Sequence, residues 1–131
     1  MTWLERTHGG TPPLLDANYL ARLTRHLGED VMAELLADGE LELTDRARQL
    51  RRGVAHRDAR SLRAASHDLI AVAGHLGLSA LSLACVDLNR QIARAEPDEI
   101  DGLCAPVISL AEQSIEALGS ARISGDVPGG E

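Results

Sequence analysis

His67, in the run Ser66-His67-Asp68-Leu69-Ile70-Ala71-Val72-Ala73-Gly74-His75, carries the side chain best placed to do chemistry in this sequence. On a helix turning about 100° per residue, Leu62, Ala65, Leu69, Val72, Ala73 and Leu76 gather on one side, and His67 falls on the opposite one. Its neighbours on that outer side are Arg60, Arg63, Ala64, Ile70, Ala71 and Gly74. A solvated helix normally carries Glu, Lys or Arg there. Ala and Gly instead leave the imidazole on a bare surface that a large partner can approach closely, whereas a small-molecule site would want a concavity. Imidazole is partly unprotonated near neutral pH, so it can serve as a base or a nucleophile. On geometry alone the other reading stays open, an exposed histidine with no task.

The remaining reactive residues offer less. His8 lies in the N-terminal arm, His26 near a helix end and His56 in a turn between helices, where an exposed histidine needs no special reason. His75, about 80° from His67 on the wheel, suits the last turn of a helix, where it can bond terminal carbonyls or meet the dipole. Zinc would want histidines four apart on one face, and His67 with His75 is eight apart with no carboxylate between them on that face, so no metal site is expected. Cys85 and Cys104 have no metal spacing and read as buried thiols. No serine sits on a strand–turn–helix pattern with a histidine and an acid, and no glycine-rich phosphate cradle is present.

Composition removes further classes. All 13 basic residues are arginine, so Schiff-base lysine and P-loop lysine chemistry are excluded. A net charge of −7, no Phe, one Trp and one Tyr argue against binding nucleic acid and for protein partners. No apolar run is long enough to cross a bilayer and the N-terminus lacks the pattern of a signal peptide, so a cytoplasmic protein is expected, with no membrane partner. The length of 131 residues suits one domain.

The elements that must position His67 read as helices throughout. Residues 1–13, with Gly9-Gly10 and Pro12-Pro13, read as a loosely ordered arm in which Trp3 and Leu4 can pack on the rest. Asp16 is placed to cap a short helix over 17–27 that Gly28 ends. A long helix follows from Glu29 to about Gly53, with Val31, Met32, Leu35, Leu36, Leu43, Ala47 and Leu50 in its pattern and a soft point at Gly39. Asp58 can cap the His67 helix, which continues to about Leu76 or Gly77. Ser79 can cap a fourth helix with Leu81, Leu83, Ala84, Val86, Leu88 and Ile92 buried. Asp98 can start a fifth, which Pro106 should kink or divide. Residues 120–131 turn to Gly, Pro, Ser and charge and read as a disordered tail. Each helix is too marginal to stand alone, so the expected fold is all-α: an antiparallel up-down four-helix bundle over residues 14–119 with a short additional N-terminal helix.

Ala65-Ser66-His67-Asp68-Leu69, followed at fixed offsets by Ala73-Gly74, Gly77-Leu78, Leu81 and Cys85, resembles the signature of histidine-containing phosphotransfer (HPt) domains. The resemblance needs no gap from His67 to Leu81 and extends over nearly all of the expected helical region. It implies a phosphorelay intermediate, a phosphoryl carrier rather than a kinase or hydrolase. His67 would take the phosphoryl group from the aspartyl phosphate of a response-regulator receiver domain and pass it to another receiver. Arg63, Ala64, Ile70, Ala71 and Gly74 would form the docking face, and partners would be receiver domains or a hybrid sensor histidine kinase. No cofactor of its own is implied, because the Mg²⁺ belongs to the receiver, and a self-contained bundle points to a monomer. The sequence departs from the family at two places. Where the family carries Lys and Gly, three and four residues after the histidine, this chain has Ile70 and Ala71. Arg60 and Arg63 share the face, but helical side chains lean toward the N-terminus, which takes theirs away from His67 and makes them partial substitutes for the lysine. The missing lysine supports an alternative, a degenerate docking module that binds a kinase or receiver without carrying phosphate. A structural adaptor in which His67 is incidental is the third reading.

Overall fold

A computed structural model describes residues 12–124 of the chain. Helix α1 spans Ala17–Leu27. Asp16 takes an extended conformation and its carboxylate accepts the Tyr19 N–H at 3.0 Å, which serves a backbone donor that the first turn leaves without a helical partner. Gly28, at φ 88°, ends the helix and donates its own N–H to the Thr24 carbonyl. Both boundaries are the expected ones. Trp3, Leu4 and His8 lie outside the described residues, as do residues 125–131.

Helix α2, Glu29–Ala55, runs unbroken through Gly39. The expected soft point is a packing notch: a Cβ there would stand 2.6 Å from both Leu76 methyl carbons, so only glycine lets the two helices meet this closely. A second notch lies at Gly53, where a Cβ would stand 2.7 Å from Cδ2 of Leu62. Val31, although part of the apolar pattern, is exposed on α2. Helix α3, Ala59–His75, starts at Asp58, whose carboxylate accepts from the Ser61 N–H and hydroxyl. The bond from the Ser61 hydroxyl, helped by the backbone donors and the nearby Arg60, lowers the Asp58 pKa below 3.8. The sign follows. With its folded-state pKa below its unfolded value, the stabilisation from Asp58 is complete above the unfolded pKa and is lost as pH falls through the folded one. An Asp58→Asn variant is therefore expected to show a shallower loss of stability on acidification below about pH 4, measured by urea unfolding across that range; an unchanged acid limb would sink the assignment.

The turn after α3 is a Schellman motif: Leu78 N–H bonds the Ala73 carbonyl, Gly77 N–H bonds the Gly74 carbonyl, and Gly77 takes φ +74°. Helix α4 then spans Ser79–Ile92. Its cap is the buried Leu78 and not Ser79, which is already helical, because the motif draws Leu78 into the core as the hydrophobic closing contact. Leu83, expected inside, is exposed on the far side of α4 from buried Leu81, Cys85 and Leu88.

Pro97–Glu99 form a 3₁₀ turn in which Glu96 and Glu99 make a reciprocal capping box, so α5 begins at Ile100 and not at Asp98. Helix α5, Ile100–Ser124, is one element in spite of Pro106. The proline is exposed, and the residue four before it is Gly102, with open space around it, so water can serve the carbonyl that loses its amide partner. Ser120 to Ser124 are still helical, beyond the expected start of the tail at 120. Arg122 there bonds Glu40 on α2 at 3.0 Å.

Helices α2 to α5 contact one another in a closed ring, α2 with α3, α3 with α4, α4 with α5 and α5 with α2, while α1 packs on α2. This is an all-α up-down four-helix bundle with a short N-terminal helix, as the periodicity predicts. Leucines at 20, 36, 43, 50, 62, 69, 81, 88 and 118 fill the centre, with Met32 and the two free cysteines. Burial raises both thiol pKa values, that of Cys85 to about 12, so both sulfurs are inert core groups. No described helix is long and apolar enough to cross a membrane.

Candidate functional site

Helix α3 carries Leu62, Ala65, Leu69 and Ala73 in the core, with Leu76 just beyond its end, and thereby turns His67 outward. His67, Arg63, Ala64, Ala71 and Gly74 are all exposed. A Cβ on Gly74 would meet nothing nearer than the Ser82 hydroxyl at 3.7 Å, so this glycine is not needed for packing. Ile70 differs from its expected place on the open surface. It is half-buried against the core between α3 and α4, and its carbonyl accepts the Ser82 hydroxyl at 3.0 Å. Its side chain therefore offers a partner only an edge.

Two polar anchors tie the His67 turn to its neighbours, and sequence reasoning passed over both. On the α4 side, Asn89 Nδ2 donates to the Arg63 carbonyl at 2.9 Å and to the Ser66 hydroxyl at 3.0 Å, while Ser66, buried, donates to the same carbonyl. Arg63 O is also the helical acceptor for the His67 amide, so Asn89 grips the turn on which the imidazole stands. A signal existed: Ser82, Val86, Asn89 and Ala93 recur along one flank of α4, and Asn89 is the large polar member of that row. On the other side, Arg46 of α2 places Nε 3.4 Å from an Asp68 carboxylate oxygen and bonds Asp45 at 2.8 Å. Its Nε is buried and makes no hydrogen bond.

An open depression beside His67 is lined by Arg60, Arg63, Ala64, Asn89, Ile92 and Ala93. His75 is exposed at the end of α3, and its backbone carbonyl accepts the Tyr19 hydroxyl at 2.9 Å, which fastens α1 to the end of the His67 helix. His56 lines a separate hollow with Arg52 and Ser61, and the His26 ring bonds the Arg22 carbonyl on its own helix. Among the described residues no group of three or more His, Cys, Asp or Glu is placed to hold a metal ion.

No family model matches the sequence, and no curated protein matches it significantly. Among solved structures, the chain is similar to histidine-containing phosphotransfer protein B (HptB) from Pseudomonas aeruginosa PAO1, at a TM-score of 0.75 and 24% identity, over 86% of this chain and 96% of that one. The similarity covers most of both chains, so it concerns the architecture as a whole and not one helical hairpin. The chain has the fold of a histidine-containing phosphotransfer protein.

Proposed function

We propose that the protein is a phosphorelay intermediate that carries a phosphoryl group on His67. The observation that carries the reading is an exposed imidazole on the outer face of α3, among Ala64, Ala71 and Gly74, in a bundle of this fold. A nucleophile that must reach an aspartyl phosphate recessed in a partner's acidic pocket has to stand proud of its own surface with little around it. The imidazole nitrogen, Nε2 in this reading, attacks phosphorus in line. The N–P bond forms as the P–O bond to the aspartyl carboxylate breaks, and that carboxylate leaves with the electron pair. The reverse sequence passes the group to another receiver. Most of the catalysis in such a step is positioning and charge stabilisation. The receiver would supply the Mg²⁺ and its acidic pocket, while this chain supplies the nucleophile and a docking face of Arg63, Ala64, Ile70, Ala71 and Gly74. Receiver domains and a hybrid sensor kinase are the partners of this reading, met in the cytoplasm by a monomer that needs no cofactor of its own.

The experiment is to incubate the protein with phosphorylated receivers and follow acid-labile, alkali-stable label. Wild type should be labelled and His67→Ala should not; equal labelling would remove His67 as the nucleophile. One observation favours a second reading, in which the protein docks on a kinase or receiver without carrying phosphate: Ile70 brings no charge to the face and is half-buried. In that case neither protein takes label, and His67→Ala still slows phosphotransfer between the partners as well as wild type does.

A further inference from the structure

We propose that Arg63, assisted by Arg60, holds the phosphoryl group that His67 carries, and that the group lies in the depression between α3 and α4. The inference rests on the phosphotransfer reading and fixes where the charge of the transferred group is met. A phosphoryl group brings up to two negative charges onto an exposed ring, and Ile70, on the following turn, offers nothing to balance them.

Side-chain direction decides which neighbours can. A helical side chain covers the turn N-terminal to its own Cα. The arginines lean this way, but the same rule applies to His67, which directs its ring over the turn of Arg63 and Ala64, toward the arginines. The depression agrees: Arg60, Arg63, Ala64, His67 and Asn89 line it, and Ile70 and Gly74 do not. Arg63 is exposed and takes part in no ion pair among the described residues, so its guanidinium is available for a bidentate grip on phosphate oxygens. Arg60 is exposed as well, although part of its field already acts on Asp58. The other acid near His67 in sequence, Asp68, lies on the opposite flank of α3 against Arg46, where it does not face the depression. Asn89 has both amide hydrogens committed to Arg63 O and Ser66, so the positive charge of the pocket comes from the arginines.

Phosphoramidate provides a partner-free test. The imidazole nitrogen attacks its phosphorus, the P–N bond breaks and ammonia leaves, so phosphorylation of His67 can be followed directly by ³¹P NMR. Arg63→Ala is expected to slow the reaction roughly tenfold, the worth of one charge-assisted hydrogen bond, and to remove most of its dependence on ionic strength. Arg63→Ala combined with Ile70→Lys, which moves the charge to the other side of the ring, should recover the rate. Circular dichroism should be unchanged in all three proteins. If Arg63→Ala reacts as fast as wild type with the same salt dependence, the proposal is overturned while His67 remains the carrier. If wild type forms no phosphohistidine at all, the phosphotransfer reading fails, and this proposal fails with it. A slow Arg63→Ala variant that Ile70→Lys does not restore would mean a structural role for Arg63 and would also overturn it.

Discussion

Gly74→Arg is expected to reduce transfer between His67 and a receiver by roughly 100-fold or more, the scale of a misplaced reacting group, while leaving thermal unfolding close to that of wild type. The new side chain would lean toward the N-terminus over Ile70 and Ala71, onto the surface that a receiver would cover in the proposed transfer to His67. Nothing in the bundle resists the change, because the nearest atom to a Cβ at this position is the Ser82 hydroxyl at 3.7 Å, an ordinary contact. Replacing a helical glycine also gains intrinsic propensity. The small donor phosphoramidate should still label the variant, since it needs no docking face. Transfer from a receiver at the wild-type rate would show that partners approach His67 from elsewhere, and loss of helicity would show that Gly74 is packed.

The second large effect is on stability. Gly77→Val should destabilise the protein by about 3–5 kcal/mol, combining left-handed backbone strain with overpacking. Gly77 holds φ +74° to complete the Schellman turn between α3 and α4, a conformation that a β-branched residue all but refuses. Even a bare Cβ there would stand 2.9 Å from Cδ2 of Tyr19. The Gly77 carbonyl meanwhile accepts the Asp16 N–H at 2.7 Å, so the same residue anchors the start of α1. The loss should be read from the urea midpoint. A midpoint unchanged from wild type would mean that this turn does not adopt the left-handed conformation.

How far these features can be read from sequence depends on what sets them. The edges of α1 are local matters, an aspartate with a free carboxylate and a glycine with a free φ, and Asp16 and Gly28 mark both. The outward direction of His67 follows from the apolar stripe of its own helix, so it was legible as well. Features that depend on a second helix were not. Gly39 reads as a weakness along one helix and becomes a notch only once Leu76 arrives from another. Val31 and Leu83 fit apolar patterns yet face solvent, because a periodic stripe does not reveal how wide a face its neighbours will cover. Ile70 counts as an outer residue on the wheel and is half-covered by α4. The proline in α5 is spared by an exposed position and a glycine four residues earlier. Asn89, more than twenty residues from His67, gave a periodic hint and no indication of which turn it would hold.

The notches at Gly39 and Gly53 bear on reversibility. They seat Leu76 and Leu62, one beyond and one near the start of α3, so the helix of His67 is clamped on either side of its midpoint. A clamped nucleophile presents the same geometry to a donor and to an acceptor. In a relay of the proposed kind, the same fixed face would then serve both the forward and the backward step. The net flow would then be set by the relative phosphate loads of the receivers on either side, and the carrier would act as a reversible conduit, not a valve.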